Sequence, residues 1–235
     1  MRRWLLSLTC VTVVGAVVGL IGTPVASAQQ SLNLYVGGFV PTDPHSRDSH
    51  DVLVNNFDFL AYDFGRFTGP TFGGEWLVGL GDNFDAGFGL GYYQQSVPAV
   101  DADFVKPNGD EVVAHLKLRI VPFTATFRWL PAGHNAPIQP YVGGGVGVFG
   151  WHYSESGEFV DPSDRSIFTG HFDGSGAAVG PVVLGGVRVP IGRTALGFEA
   201  RYQYAKGELP RDQEFSGSEI DLGGMNYLFT FNIRF

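Results

Sequence analysis

The 235-residue chain holds a single cysteine, Cys10, and it falls within the first 28 residues. No intrachain disulfide can form, so stability in an oxidising compartment must come from elsewhere. Charge is scarce. Asp, Glu, Lys and Arg make up 16% of residues, against about 25% in an ordinary soluble domain. The charge that exists is mostly acidic, which argues against nucleic acid as a partner. After residue 28 no apolar run approaches the roughly 20 residues of a spanning helix, and no stretch keeps a helical period.

The first 28 residues read as an export leader. Arg2 and Arg3 precede an apolar run from Leu5 to Ile21, Pro24 breaks it, and Ala26-Ser27-Ala28 offers a small-x-small cleavage site. The expected division is a signal peptide at 1–28 and one β-barrel domain at 29–235. Losing Arg2 and Arg3 leaves 13 basic residues against 23 acidic.

The rest alternates with period two, the mark of strands with unlike faces. Eight strands are expected, at about 31–40, 71–80, 85–95, 112–129, 140–154, 176–189, 195–205 and 225–235. Their connections alternate long and short, as in a transmembrane barrel with short periplasmic turns and long external loops. Segment 51–68 carries Phe57, Phe59, Tyr62, Phe64 and Phe67, and is expected to extend the first hairpin above the membrane. The fold class expected is an all-β, eight-stranded antiparallel up-and-down transmembrane barrel.

The two faces are chemically distinct. Leu196, Phe198, Ala200, Tyr202 and Tyr204 alternate with Gly197, Glu199, Arg201 and Gln203. Only lipid outside and a polar lumen inside accommodate both sets. The same logic sets Phe72, Trp76, Val78 and Leu80 against Gly73, Glu75 and Gly79, and Ala86, Phe88, Leu90 and Tyr92 against Gly87, Gly89, Gly91 and Tyr93. In strand 112–129, His115, Lys117 and Arg119 share a parity that Phe123, Phe127 and Trp129 continue, while Thr124, Thr126 and Arg128 take the other. A β-bulge near Val121-Pro122 would restore one lipid face. The lumen is then expected to hold a paired charge network of Glu75, Lys117, Arg119, Arg188, Glu199, Arg201 and Arg234, with His115 beside it. Gly87, Gly89, Gly91, Gly143, Gly145 and Gly147 would make room for it. Tyr92, Trp129, Trp151, Tyr202 and Tyr204 fall near strand ends, where interfacial aromatics are expected.

The leader, the run Gly87-Phe88-Gly89-Leu90-Gly91-Tyr92, the segment Pro140-Tyr141-Val142-Gly143-Gly144-Gly145-Val146-Gly147 and the terminal Phe235 resemble the small outer-membrane β-barrel proteins. These include the porin-like and OmpA- or OmpW-like barrels of Gram-negative envelopes. The resemblance implies an outer-membrane location and contact with outer-membrane lipid and lipopolysaccharide; no cofactor is expected. It also implies an assembly signal read by the barrel-assembly machinery, carried by Tyr227, Phe229, Phe231, Ile233 and Phe235.

Fold does not fix function. The expected role is structural, surface interaction, or limited passage of small solutes, without catalysis. Two alternatives compete. A lipid-modifying envelope enzyme would use His152 and Ser154 with Glu155 or Glu158, a base and nucleophile oriented by a carboxylate. A secreted barrel would bind an apolar ligand. His45 and His50 share a loop, and Asp161, Asp164 and Asp173 lack the spacing of a calcium loop, so no metal site is expected.

Overall fold

The computed structural model describes residues 29–213 and 215–235. The expected signal peptide, 1–28, lies outside the described residues.

Eight antiparallel strands close into a ring: β1 (Gln30–Pro41), β2 (Gly69–Gly79), β3 (Phe84–Val105), β4 (Glu111–Trp129), β5 (Gln139–Val160), β6 (Ile167–Ile191), β7 (Thr194–Gln203) and β8 (Gly224–Arg234). Each pairs with its sequence neighbours. Closure comes from β1 against β8, with Ser31 opposite Arg234 and Val36 opposite Phe229. The ring therefore has no open edge at the height that all eight strands share, as a wall in lipid requires. The turn after β6 uses Gly192 at φ 63°, the position that a two-residue II′ hairpin reserves for glycine.

The strands have two lengths. β1, β2, β7 and β8 run 10–12 residues, which is what a membrane crossing needs. β3, β4, β5 and β6 run 19–25. At about 3.3 Å per residue, the surplus carries a four-stranded wall well above the bilayer. Stretches expected as long loops, 96–110 and 155–175, are therefore mostly strand, with short connections at 106–110 and 161–166. The alternating connection lengths reflect a tall wall on one side of the barrel and true loops only at 42–68 and 204–223.

Chemistry inverts at Pro122 without any change of register. β4 stays in one register with β3 from Phe84–Trp129 to Val100–Val113, and with β5 from Trp129–Val142 to Ala114–Gly157. The expected bulge at Val121-Pro122 is absent. Below Pro122, Phe123, Phe127 and Trp129 face outward, and Thr124, Thr126 and Arg128 face inward. Above it, Ile120, Leu118, Leu116 and Ala114 are buried inside, while Arg119 and His115 are exposed. The outer solvent changes from lipid to water at that height, so the face that carries apolar groups changes with it. Trp151 follows the same inversion. It was expected at the outer interface, but it is buried inside, resting over Gly176 with its ring 3.1 Å from where a Cβ would stand.

The upper core is closed by segment 42–68. Asp51 starts a four-residue helix, α1 (Val52–Asn55), by accepting a hydrogen bond from the Leu53 amide at 2.9 Å. Val52, Leu53, Leu60 and Phe67 are buried in one cluster with Leu116, Leu118, Phe149 and Tyr153 of the wall. Leu60–Ala61 pairs with Val100 and Asp101 of β3. The segment therefore caps the barrel instead of prolonging its first hairpin. Asp51 also accepts a 2.6 Å bond from the Asp221 amide and pairs with Arg47 at 3.0 Å, which ties the cap to loop 204–223.

Candidate functional site

The lumen of the membrane half is occupied by charge. Glu75 from β2, Arg128 from β4, and Glu199 and Arg201 from β7 are all buried. Each sits on the inward parity of its strand, opposite the lipid-facing set. Glu199 accepts from Arg201 Nη2 at 2.7 Å, Arg201 Nε at 2.9 Å and Arg128 Nη2 at 2.9 Å. Glu75 accepts from Arg128, and from Arg201 at 3.3 Å. Thr126 Oγ1 donates to Glu75 at 2.8 Å and Tyr141 Oη to Glu199 at 3.0 Å. The two guanidiniums also stand over aromatic rings, Arg128 over Tyr141 at 5.1 Å and Arg201 over Tyr35 at 5.4 Å. Two carboxylates and two guanidiniums cancel, which is how buried ions are tolerated away from water.

Glycine makes the space. A Cβ on Gly87 would stand 2.6 Å from both Glu75 Oε1 and Thr126 Oγ1. A second group closes the end of the lumen nearest the short turns. Asp85 accepts from Arg188 Nη2 at 3.0 Å and lies 2.7 Å from His134 Nε2. Gln139 Oε1 accepts from Arg188 at 2.8 Å and from Arg234 at 3.0 Å.

Between the charge group and the apolar cap, a cavity bounded by Tyr35, Thr71, Thr124, Arg201 and Asn226 measures about 10 Å³. That is near the minimum for a single water molecule. The lumen is thus obstructed at three levels: the Asp85–Arg188 group, the quartet and the cap.

Of the expected network, the structure brings together Glu75, Glu199 and Arg201, and places Arg188 and Arg234 in the lower group. Lys117 and Arg119 do not join. They stand above Pro122 on the outer face, with His115, because the barrel wall there meets water. Arg128 and Asp85 were the residues missed. Arg128 shares parity with Thr124 and Thr126, so its inward aim was legible from the strand. Its pairing across the lumen with β2 and β7 was not.

The other candidate groups separate. His152 and Ser154 lie on one parity of β5 and Glu155 on the other, buried inside the wall. That carboxylate cannot orient His152. Glu158 pairs with Lys106 at 2.6 Å. The His50 ring pairs with Asp48 at 2.7 Å on the surface. Asp161 and Asp164 accept from Ser163 and Ser166 amides and shape the hairpin tip. Among the described residues no three His, Cys, Asp or Glu side chains converge as metal ligands.

The fold matches a solved structure, the outer membrane protein OprG from Pseudomonas aeruginosa, with a TM-score of 0.53 over 88% of this chain and 96% of that one. By fold, the chain is an eight-stranded antiparallel β-barrel like that of this outer-membrane protein. Sequence identity to OprG is 13%, so the likeness is one of architecture. Neisserial surface protein A aligns over 89% of this chain and 98% of its own at 12% identity, with a TM-score of 0.44. No protein-family model matches the sequence, and no curated protein is similar to it.

The barrel carries its assembly-signal candidates on the lipid side. Phe229 and Phe235 are 69% and 72% exposed. Tyr227 and Phe231 face out with them. Ile233 is half-buried on the same parity. Phe229 packs edge-on against Phe198 of β7 at 5.7 Å.

Proposed function

We propose that this protein is a sealed barrel of the bacterial outer membrane that acts through its structure and its external surface, without solute passage or catalysis. The observation that carries the reading is the neutral, hydrogen-bonded Glu75–Arg128–Glu199–Arg201 quartet filling the lumen beneath an apolar cap. A buried quartet of this kind resists hydration because separating its members exposes each charge to a medium that solvates it poorly.

Residues 1–28 direct export and are removed after Ala28. The barrel-assembly machinery then reads Tyr227, Phe229, Phe231, Ile233 and Phe235 as the closing strand. The tall wall of β3–β6 presents the surface that meets outer partners. His115, Lys117, Arg119 and His152 stand on its outer face just above the apolar band. Their position supports contact with the phosphate-bearing head groups of the outer leaflet, lipopolysaccharide among them.

The test is conductance. Purified protein in planar bilayers is expected to give no discrete openings. Reproducible unitary conductance from the folded barrel would overturn the sealed reading.

A further inference from the structure

A second, open cavity lies above the membrane, between the cap and the tip of the β5–β6 hairpin. Its volume is about 460 Å³, within the range of pockets that hold small organic molecules. Phe59 from the cap and Phe159, Phe168 and Phe172 from the hairpin form its walls. Phe159 stands 5.3 Å from Phe172 in an edge-on arrangement and 6.0 Å from Phe168.

A carboxylate lies at one side of this aromatic space. Glu155 lines the cavity and is 4% exposed. Three separate parts of the chain hold it. Asn56 Nδ2, from the cap, donates to Glu155 Oε1 at 2.7 Å, and Tyr153 Oη donates to the same oxygen at 2.8 Å. Ser216, from the last loop, donates in turn to Asn56. Glu155 Oε2 has no hydrogen-bond partner among the described residues, and Glu155 makes no ion pair there. Asp101 adds a second carboxylate to the lining, and no Lys, Arg or His is part of it. Burial holds the Glu155 carboxyl above the usual carboxylate range, and the described lining supplies no positive charge that would favour its ionisation.

Aromatic walls attract cations through their ring faces, apolar walls take hydrocarbon, and a held carboxylate with one free oxygen takes an ammonium. We propose that this external cavity binds an amphipathic organic cation, an ammonium group on an apolar body, with Glu155 as the counter-ion and Phe159, Phe168 and Phe172 around the body. The site is independent of the lumen. It needs no passage through the barrel, and its occupancy and the barrel's conductance are separate measurements.

The test uses the mature chain in phosphatidylcholine nanodiscs at neutral pH, titrated calorimetrically with benzyltrimethylammonium, with empty nanodiscs as blank. Saturable binding at one site per barrel is expected. The neutral isostere neopentylbenzene and the Glu155→Gln variant should each weaken binding by about tenfold or more, since both remove the charge pairing and leave the shape. Phe168→Ala should weaken binding of the cation. Equal affinity for the cation and its isostere would overturn the proposal. So would undiminished binding by folded Glu155→Gln, or no saturation at millimolar probe. Should Glu155→Gln fail to refold, the isostere comparison on the unaltered barrel decides alone.

Discussion

Changing Glu199 to Gln removes one negative charge from a site where nothing else can replace it. The side chain is 0% exposed and accepts four hydrogen bonds, two from Arg201, one from Arg128 and one from Tyr141. The substitution keeps shape but turns a neutral quartet into one of net charge +1. It also sets an amide NH₂ against guanidinium donors. Breaking one partner of a buried ion pair costs about 3–5 kcal/mol. Glu75 still touches both guanidiniums, so the lower end, about 3 kcal/mol, is expected. Adding Arg201→Gln restores neutrality, with Glu75 facing Arg128. The double variant should therefore lose less than the two single losses together, by about 1 kcal/mol or more. The assay is urea unfolding in phospholipid vesicles, followed by fluorescence of the lipid-facing Trp76 and Trp129 and by the heat-dependent gel migration of folded barrels. A Glu199→Gln barrel within about 0.5 kcal/mol of the parent, or strict additivity of the two losses, would refute the account of the quartet as a coupled neutral unit.

Three further outcomes are expected. Phe88→Arg, on the lipid face, should cost about 2–4 kcal/mol, whereas Lys117→Glu, on the wetted wall, should change unfolding in vesicles by less than about 0.5 kcal/mol; similar costs at both positions would contradict the inversion at Pro122. Deleting Phe235 should reduce the amount of heat-modifiable barrel in the membrane fraction of expressing cells, and normal recovery would remove the terminal residue from the assembly signal. Glu155 is held above its ordinary value by burial, so its folded form binds a proton more readily than its unfolded form. Stability from this group is therefore greatest at acid pH and declines as pH rises from the ordinary carboxylate range through the raised value. The unfolding free energy of Glu155→Gln relative to the parent should accordingly grow with pH over that window, and a pH-independent difference would exclude the effect.

The membrane half was legible because its signal is local. In β7, Leu196, Phe198, Tyr202 and Tyr204 alternate with Glu199, Arg201 and Gln203, and no other solvent arrangement suits both faces. The last strand works the same way, and the up-and-down closure expected of the barrel is the β1–β8 seam. The lipid-facing or lumen-facing aim of each residue there follows from parity alone. Strand β4 was harder. Its two halves were read as one face interrupted by a bulge, because the sequence states where polarity changes but not how high the strand stands. The height of Pro122 depends on the lengths of β3, β5 and β6, whose upper parts resembled polar loops.

By itself, then, the sequence determined the class of protein: a barrel of eight strands, lipid on one parity, polar groups on the other, and a last strand that closes on the first. Period-two patterning is sufficient for that, since each residue's face depends only on its neighbours in the chain. The tertiary structure alone decided what fills the barrel. Arg128 meets Glu75 and Glu199 across the lumen from three different strands, segment 42–68 folds down as a cap, and Glu155 meets Asn56 at the edge of an aromatic cavity. These contacts join residues 50 to 100 positions apart in sequence. They are set by the curvature of the closed wall and by the height at which lipid gives way to water, and neither is a property of any local stretch of chain.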